Sequence, residues 1–355
     1  MENMKKNNHW LPIGIVVVLV LVVVSLTFWQ KDKVNSLDIK IGVITDLTGP
    51  AAYWGESTRV GAEIAKKELV AEGYKVNLIF EDYQLDTAKA LTAAQKLVNV
   101  DSVDAIYAEF NPAAISVGSF LKDKNTLLVY DAVPISPLKE NTNAYKTYLD
   151  FQVGCKELAQ RFKNQGVLVI GVLKGNWEPG EICLAGVKEV FSDKTISEAY
   201  NLGDTDFRTQ VLKLKNAGVG AIINTAFEGE TLNSLKAMQE LQFKVPYGTG
   251  EDTVTDNVKS KYPNELKGAL TLGFRDVEDS FVKKIEKESP KKLVTNYAAA
   301  LAYTHIRQVV KALDECKKDL ACTKDKLDNA KADSTIGFTK FVNRIADFGM
   351  FIKQY

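Results

Sequence analysis

From residue 38 onward the chain alternates short β-rich runs with amphipathic helical stretches, and this alternation constrains the fold more than any other feature. Strands are expected at 39–45, 75–81, 103–107, 126–130, 167–173, 196–200, 220–224, 246–248 and 269–273, with a last one at 349–353. Between them lie helical segments such as 57–72, with Val60, Ile64 and Ala65 on one stripe, and 207–217, with Val211, Leu212 and Leu214. Strand, helix and strand in repetition read as βαβ units with right-handed crossovers and parallel sheets. Nine strands ahead of the tail exceed the roughly five or six of an ordinary sheet. The expected fold is therefore α/β, with two Rossmann-like, doubly wound lobes and a break near 150–153. Sheets of this kind bind ligands beyond the carboxyl ends of their strands, so two facing lobes create a cleft. The tail adds a long helix at 292–313, a cysteine-bracketed turn and a second short helix.

Residues 11–29 are of a different physical class, 19 positions without a charge, dominated by the aliphatic run at 15–24. As a helix rising about 1.5 Å per residue, the segment reaches about 28 Å, close to the hydrocarbon thickness of a bilayer. A cleaved signal peptide is the competing reading, but the stretch after the run, Ser25 to Trp29, offers no small-x-small site, and Trp29 suits a membrane interface. The expectation is an uncleaved single-pass anchor in the cell membrane, with residues 1–10 as a cytoplasmic tail and the body extracytoplasmic. Lys5 and Lys6 precede the span while Lys31 and Lys33 follow it, so the charge bias that orients it is weak.

Composition removes several functions. The 45 basic and 45 acidic residues cancel, which leaves no electrostatic excess for nucleic acid. Two histidines, His9 and His305, and four cysteines cannot supply a His-rich metal centre or a zinc ribbon, so no metal and no cofactor are expected. His305 sits within the long helix as a packing residue, and no GxSxG elbow occurs, so an enzyme is not expected. Gly49 and Gly55 lie too far apart to cradle a pyrophosphate. The loop between them does carry Tyr53 and Trp54 just ahead of a helix, where aromatic rings either cover a small ligand or pack the loop.

The run at 48–63, TGPAAYWGESTRVGAE, closely resembles the amino end of the type I periplasmic binding proteins of the leucine/isoleucine/valine class. DTDFRTQVLKLK at 204–215 with GAIIN at 220–224 resembles their second-lobe unit, and YAAALAY at 297–303 their returning helix. The resemblance implies two lobes joined by three hinge strands, a ligand captured by closure, and delivery to a membrane ABC permease. It places lobe one at 37–151 and 277–334, and lobe two at 152–276 and 335–355. Carried over position by position, it implies ligand contacts at Trp54, at Asn111 in place of a serine, in the loop 130–137 containing Asp131 and Ala132, at Trp177, and at Phe227 and Glu228. Asn111, and Ile135 where a threonine is usual, depart from the pattern that holds an α-carboxylate.

Four acids, Glu109, Asp131, Glu228 and Glu251, follow strand candidates, and Tyr53, Trp54, Trp177 and Phe227 lie among them. Unpaired carboxylates in a closed cleft favour a ligand that brings positive charge, and aromatic faces favour the same partner. The expected ligand is an amino-acid-like or amine- or amide-bearing small molecule. Acids turned to solvent or paired with Lys and Arg are the competing reading, and a membrane-tethered sensing ectodomain is the alternative to transport. Cys316 and Cys322 bracket a polar turn and are expected to pair. Cys155 and Cys183, on the first helical segments of lobe two, either form a second bridge or remain buried thiols.

Overall fold

The computed structural model describes residues 36–49, 51–201, 203–250, 253–331, 333, 335–349 and 351–355. The expected span at 11–29 and the candidate Glu251 lie outside the described residues. Among the described residues no helix is long and apolar enough to cross a membrane.

The first lobe is laid down as β1 (Asp38–Thr45), α1 (Ala52–Ala71), β2 (Lys75–Asp82), α2 (Thr87–Asn99), β3 (Ala105–Glu109), α3 (Phe110–Leu121), β4 (Leu127–Asp131), α4 (Ser136–Glu140) and β5 (Ala144–Lys146). The chain then crosses and repeats the plan as α5 (Phe151–Asn164), β6 (Ile170–Gly175), α6 (Glu178–Phe191), β7 (Thr195–Tyr200), α7 (Arg208–Asn216), β8 (Ala221–Asn224), α8 (Glu228–Glu240), β9 (Tyr247–Gly250), α9 (Asp256–Lys261) and β10 (Leu270–Gly273). It returns through α10 (Asp279–Glu288), α11 (Asn296–Glu315) and α12 (Leu320–Asp328), and ends with β11 (Lys340–Val342), β12 (Ile345–Asp347) and β13 (Phe351–Gln354).

The parallel strands run in the order β2-β1-β3-β4-β5 in the first sheet and β7-β6-β8-β9-β10 in the second. The two lobes are thus one winding used twice. Even a local device recurs: the Tyr83 hydroxyl after β2 donates to the Glu109 carbonyl at 2.8 Å, and the Tyr200 hydroxyl ending β7 donates to the Thr225 carbonyl at 2.9 Å. Every residue of β3 and β4 is buried, as expected for parallel strands covered on both faces. Ile41, Val43, Tyr107 and Val129 face one core with α1 and α11, while Ile106, Ala108, Leu128 and Tyr130 face α2 and α3.

The tail departs from the expected partition at 335–355. β11 and β12 form an antiparallel hairpin on the first sheet, with Ile345 of β12 beside Lys146 of β5, and only β13 joins the second sheet, antiparallel to β10. The reason lies in Arg344, whose guanidinium donates to the carbonyls of Leu138, Asn141 and Ala144 at 2.7, 2.8 and 3.2 Å and ties the hairpin to α4 and β5. Both sheets therefore carry antiparallel edges on a parallel centre. The chain passes between sheets after β5, after β10 and after β12, so the connections cluster at the β5 and β10 sides.

Cys155 on α5 is bonded to Cys183 on α6, and Cys316 to Cys322 across the turn from α11 to α12. Denatured, unreduced protein is therefore expected to show no titratable thiol, and four reactive thiols would contradict both bridges. Cys155–Cys183 spans 28 residues, and removing it through a double serine substitution should cost about 3 kcal/mol of stability in chemical unfolding.

Candidate functional site

In this strand order the direction of winding reverses between β1 and β3, and their carboxyl ends open a crevice. Thr45 ends β1, Glu109 ends β3, and Asp131 ends β4 directly beside Glu109 in the ladder. α1 covers the crevice at its start. The Asp46 carboxylate accepts from the Gly49 and Ala51 amides at 2.5 and 2.7 Å and fixes the loop that leads into the helix. A Cβ on Gly55 would lie 1.9 Å from the Asp46 carbonyl oxygen, so only glycine lets the first turn of α1 sit this close.

That placement turns Trp54 and Thr58, one helical turn apart, toward the strand ends. The Glu109 carboxylate accepts from Trp54 Nε1 at 3.1 Å and from the hydroxyls of Thr45 and Thr58. It is fully buried. Burial pushes its pKa from 4.5 up to about 7, against the three hydrogen bonds, which favour the charged form, and with a smaller upward push from Asp46. Asp131 is 4% exposed and neither carboxylate oxygen has a hydrogen-bond partner. Burial raises its pKa well above the carboxylate range, Glu109 adds to the rise, and Lys146 opposes it. Lys146 does not pair with Asp131 by hydrogen bond: its Nζ donates to the carbonyls of Tyr148, at 2.8 Å, and Leu149, in the first crossing segment. Burial brings the Lys146 pKa down to about 7, against the upward pull of Asp150 and Asp131.

Trp54 is also where the two lobes meet. Its ring lines a small cavity with Tyr148, Phe151 and Phe274 from the crossing segments, Tyr297 from α11, and Gly250 and Leu272 from the second lobe. A larger cavity, about 360 Å³, lies on the other side of the crossing segments between Ile135, Lys139, Asp150, Ile182 and Arg344. The lobes touch beside it, where Glu178 of α6 faces the Ile135 amide, the Ser136 hydroxyl and Lys139 of the first lobe; burial raises its pKa over the pull of these partners.

Of the residues expected at the site, Trp54, Glu109, Asp131 and the buried Ala132 gather at the first-lobe edge. Asn111 is half-buried in the first turn of α3. Tyr53, the residue before Trp54, is 52% exposed. On the second lobe Trp177 stacks on Phe227, with ring centroids 6.0 Å apart, and meets Tyr200 edge-on at 5.7 Å. Phe227 remains 60% exposed. Glu228 accepts from Asn257 Nδ2 at 2.8 Å and is engaged within its own lobe. Of the three acids among the described residues, the structure therefore brings together Glu109 and Asp131. Thr45, Thr58, Tyr148, Phe274 and Tyr297 were not anticipated; only Thr58 carried a readable signal, its spacing of four from Trp54. Among the described residues no group of three or more His, Cys, Asp or Glu is placed to hold a metal ion.

A family model described as periplasmic binding protein matches residues 38–354, nearly all of the described chain. The chain belongs to the periplasmic binding protein family. Among curated relatives, a Leu/Ile/Val-binding protein homologue of Brucella abortus is 23% identical over 253 residues, 66% of each chain, so the match spans about two thirds of that relative. Another homologue, from Brucella suis, is 24% identical over 340 residues, 85% of each chain. Among solved structures, an ABC-transporter solute-binding protein of R. palustris in complex with 4-hydroxybenzoate superposes with a TM-score of 0.77 at 20% identity, covering 89% of this chain and 92% of that one. A branched-chain amino acid ABC transporter periplasmic ligand-binding protein of Burkholderia xenovorans gives 0.76 at 22% identity, covering 89% and 90%. These likenesses establish the two-lobed fold. Both Brucella relatives are named as Leu/Ile/Val-binding protein homologues, and both solved structures as ligand- or solute-binding proteins of ABC transporters.

Proposed function

We propose that this family member is a membrane-tethered solute-binding protein, which captures an amine- or amide-bearing small molecule between its lobes and presents it to an ABC permease. The anchor is the uncharged segment at 11–29, and the body stands outside the membrane. The observation that carries the ligand reading is Asp131, a buried carboxyl with both oxygens unpartnered at the end of β4, beside Glu109. A group left in that state costs free energy unless something supplies donors, and the missing donors belong on the ligand. Closure follows when contacts on both lobes favour the shut arrangement over the open one. Nothing in the arrangement calls for a bond to be made or broken. The Brucella relatives named for leucine, isoleucine and valine and the structure holding 4-hydroxybenzoate support small-molecule capture, and neither name fixes the ligand here.

Stripping the full-length protein in detergent, exposing it to a metabolite extract and recovering the bound fraction for mass spectrometry tests this reading. Wild type should retain a nitrogen-bearing small molecule, unchanged in mass, that Asp131→Ala loses. Identical recoveries from both proteins, or a chemically altered molecule, would contradict it.

A further inference from the structure

Three hydrogen-bond donors at the first-lobe strand ends are already engaged. Thr45, Thr58 and Trp54 Nε1 all donate to one acceptor, the Glu109 carboxylate, which the chain itself provides. Lys146, the cation beside Asp131, gives its ammonium group to the Tyr148 and Leu149 carbonyls. Of the two acids at these strand ends, Glu109 is satisfied, while both oxygens of Asp131 lack a partner.

Taking solute capture between the lobes as its basis, we infer that the ligand carries N–H donors and no carboxylate, so that the site admits an amine, guanidine or primary amide and rejects the corresponding free acid or amino acid. A carboxylate entering this lobe has two options. It either displaces Glu109 from its three donors and leaves that carboxyl buried and unsatisfied, or it lies unpaired beside two buried acids; each option incurs the full desolvation cost of a polar group. An N–H ligand meets the opposite situation: its donors favour the charged form of Asp131, which accepts two hydrogen bonds side by side, as carboxylates do from forked donors. The Trp54 ring connects the two halves of the argument. Its indole nitrogen is bound to Glu109 while its ring lines the interlobe cavity with Tyr148 and Phe274, and an aromatic face attracts a cation placed over it.

Matched pairs that differ by a carboxylate provide the test: agmatine against L-arginine, cadaverine against L-lysine, and acetamide against acetate, each followed as a thermal shift of the full-length protein in detergent. At saturation at least one carboxylate-free member should raise the midpoint by about 5 °C, while its acid partner leaves it unmoved. The guanidine, amine and amide arms separate the three sources of N–H chemistry. Asp131→Asn, nearly isosteric, should weaken the active probe by at least tenfold, and Glu109→Ala should admit the acid partner by freeing three donors. Glu109→Gln serves as a second variant should the alanine form not fold, and it should weaken the active probe while leaving the acid partner excluded. Binding of L-arginine, L-lysine or acetate to wild type as strong as that of its partner would overturn the inference and leave solute capture standing. Silence across all six probes, with a carboxylate-bearing molecule recovered from the extract, would overturn it equally. Silence with no molecule recovered would remove both.

Discussion

Replacing Glu109 by glutamine is expected to make the protein more stable at pH 8 by about 3 kcal/mol, while weakening its hold on a cationic solute. The sign comes from the direction of the shift. Burial lifts the Glu109 pKa from 4.5 to about 7 in the folded chain. A group raised in this way contributes stability that is complete below the unfolded value and lost as pH climbs through the folded one. Above pH 7 the native protein therefore carries a buried charge that a neutral amide avoids, and near pH 4.5 the two proteins should unfold alike. Other groups titrate in the same range. His305, packed among Phe338, Phe341 and Phe348, has its pKa pushed down by burial to about 4, so its effect is a loss of stability as pH falls from about 6.5 to 4. The difference between variant and wild type isolates Glu109 from it. Chemical unfolding at pH 5 and pH 8 decides the matter: a gap that does not widen toward pH 8 would mean that Glu109 is not held as described. Stability given up at one buried carboxyl is what a binding group, rather than a packing group, would be expected to display.

Gly61→Ala should be strongly destabilising. A Cβ there would lie 2.0 Å from the Ala299 carbonyl oxygen and 2.6 Å from that residue's Cα, all backbone of α11, which has no rotamer by which to yield. The helices must part, at a cost of about 3 kcal/mol. Because α1 also carries Trp54 and Thr58, their separation should loosen the Glu109 hydrogen bonds as well. Gly229 in α8 has nothing within 4 Å of a would-be Cβ, and alanine there should cost nothing measurable. Equal unfolding midpoints for the two variants would refute the close contact of α1 with α11.

Much of this architecture is written in periodicity. β1 to β4 and β6 to β10 appear within a few residues of their expected positions because each is an apolar run bounded by turn residues. β5, β11 and β12 escape because three residues are too few to show a period, and two of them are placed by the remote hydrogen bonds of Arg344. The site was legible to the extent that it depends on strand ends. Glu109 and Asp131 could be named from their positions at the ends of strands, but not that they are neighbours, since that depends on the β3–β4 register. Glu228, chosen by the same rule, instead meets Asn257, a residue of the next helix that no local pattern links to it. Thr45 and Thr58 look like ordinary core hydroxyls until the fold brings them to one carboxylate.

The lobes are expected to close on a solute through the cluster around Glu109 and Asp131. The crossings lie on the β5 and β10 sides, so the β2 and β7 edges move farthest when the cleft shuts. All four cysteines are held in the two disulfides, which leaves introduced cysteines free for labelling. Spin labels at Gln95 on α2 and Leu212 on α7, both exposed, report that distance by pulsed electron resonance in the full-length protein. With the molecule recovered from the extract at saturation, the distribution should shift to shorter values in wild type and stay at the ligand-free position in Asp131→Asn. A distance unchanged by saturating ligand, or a shift that the variant reproduces in full, would contradict the account.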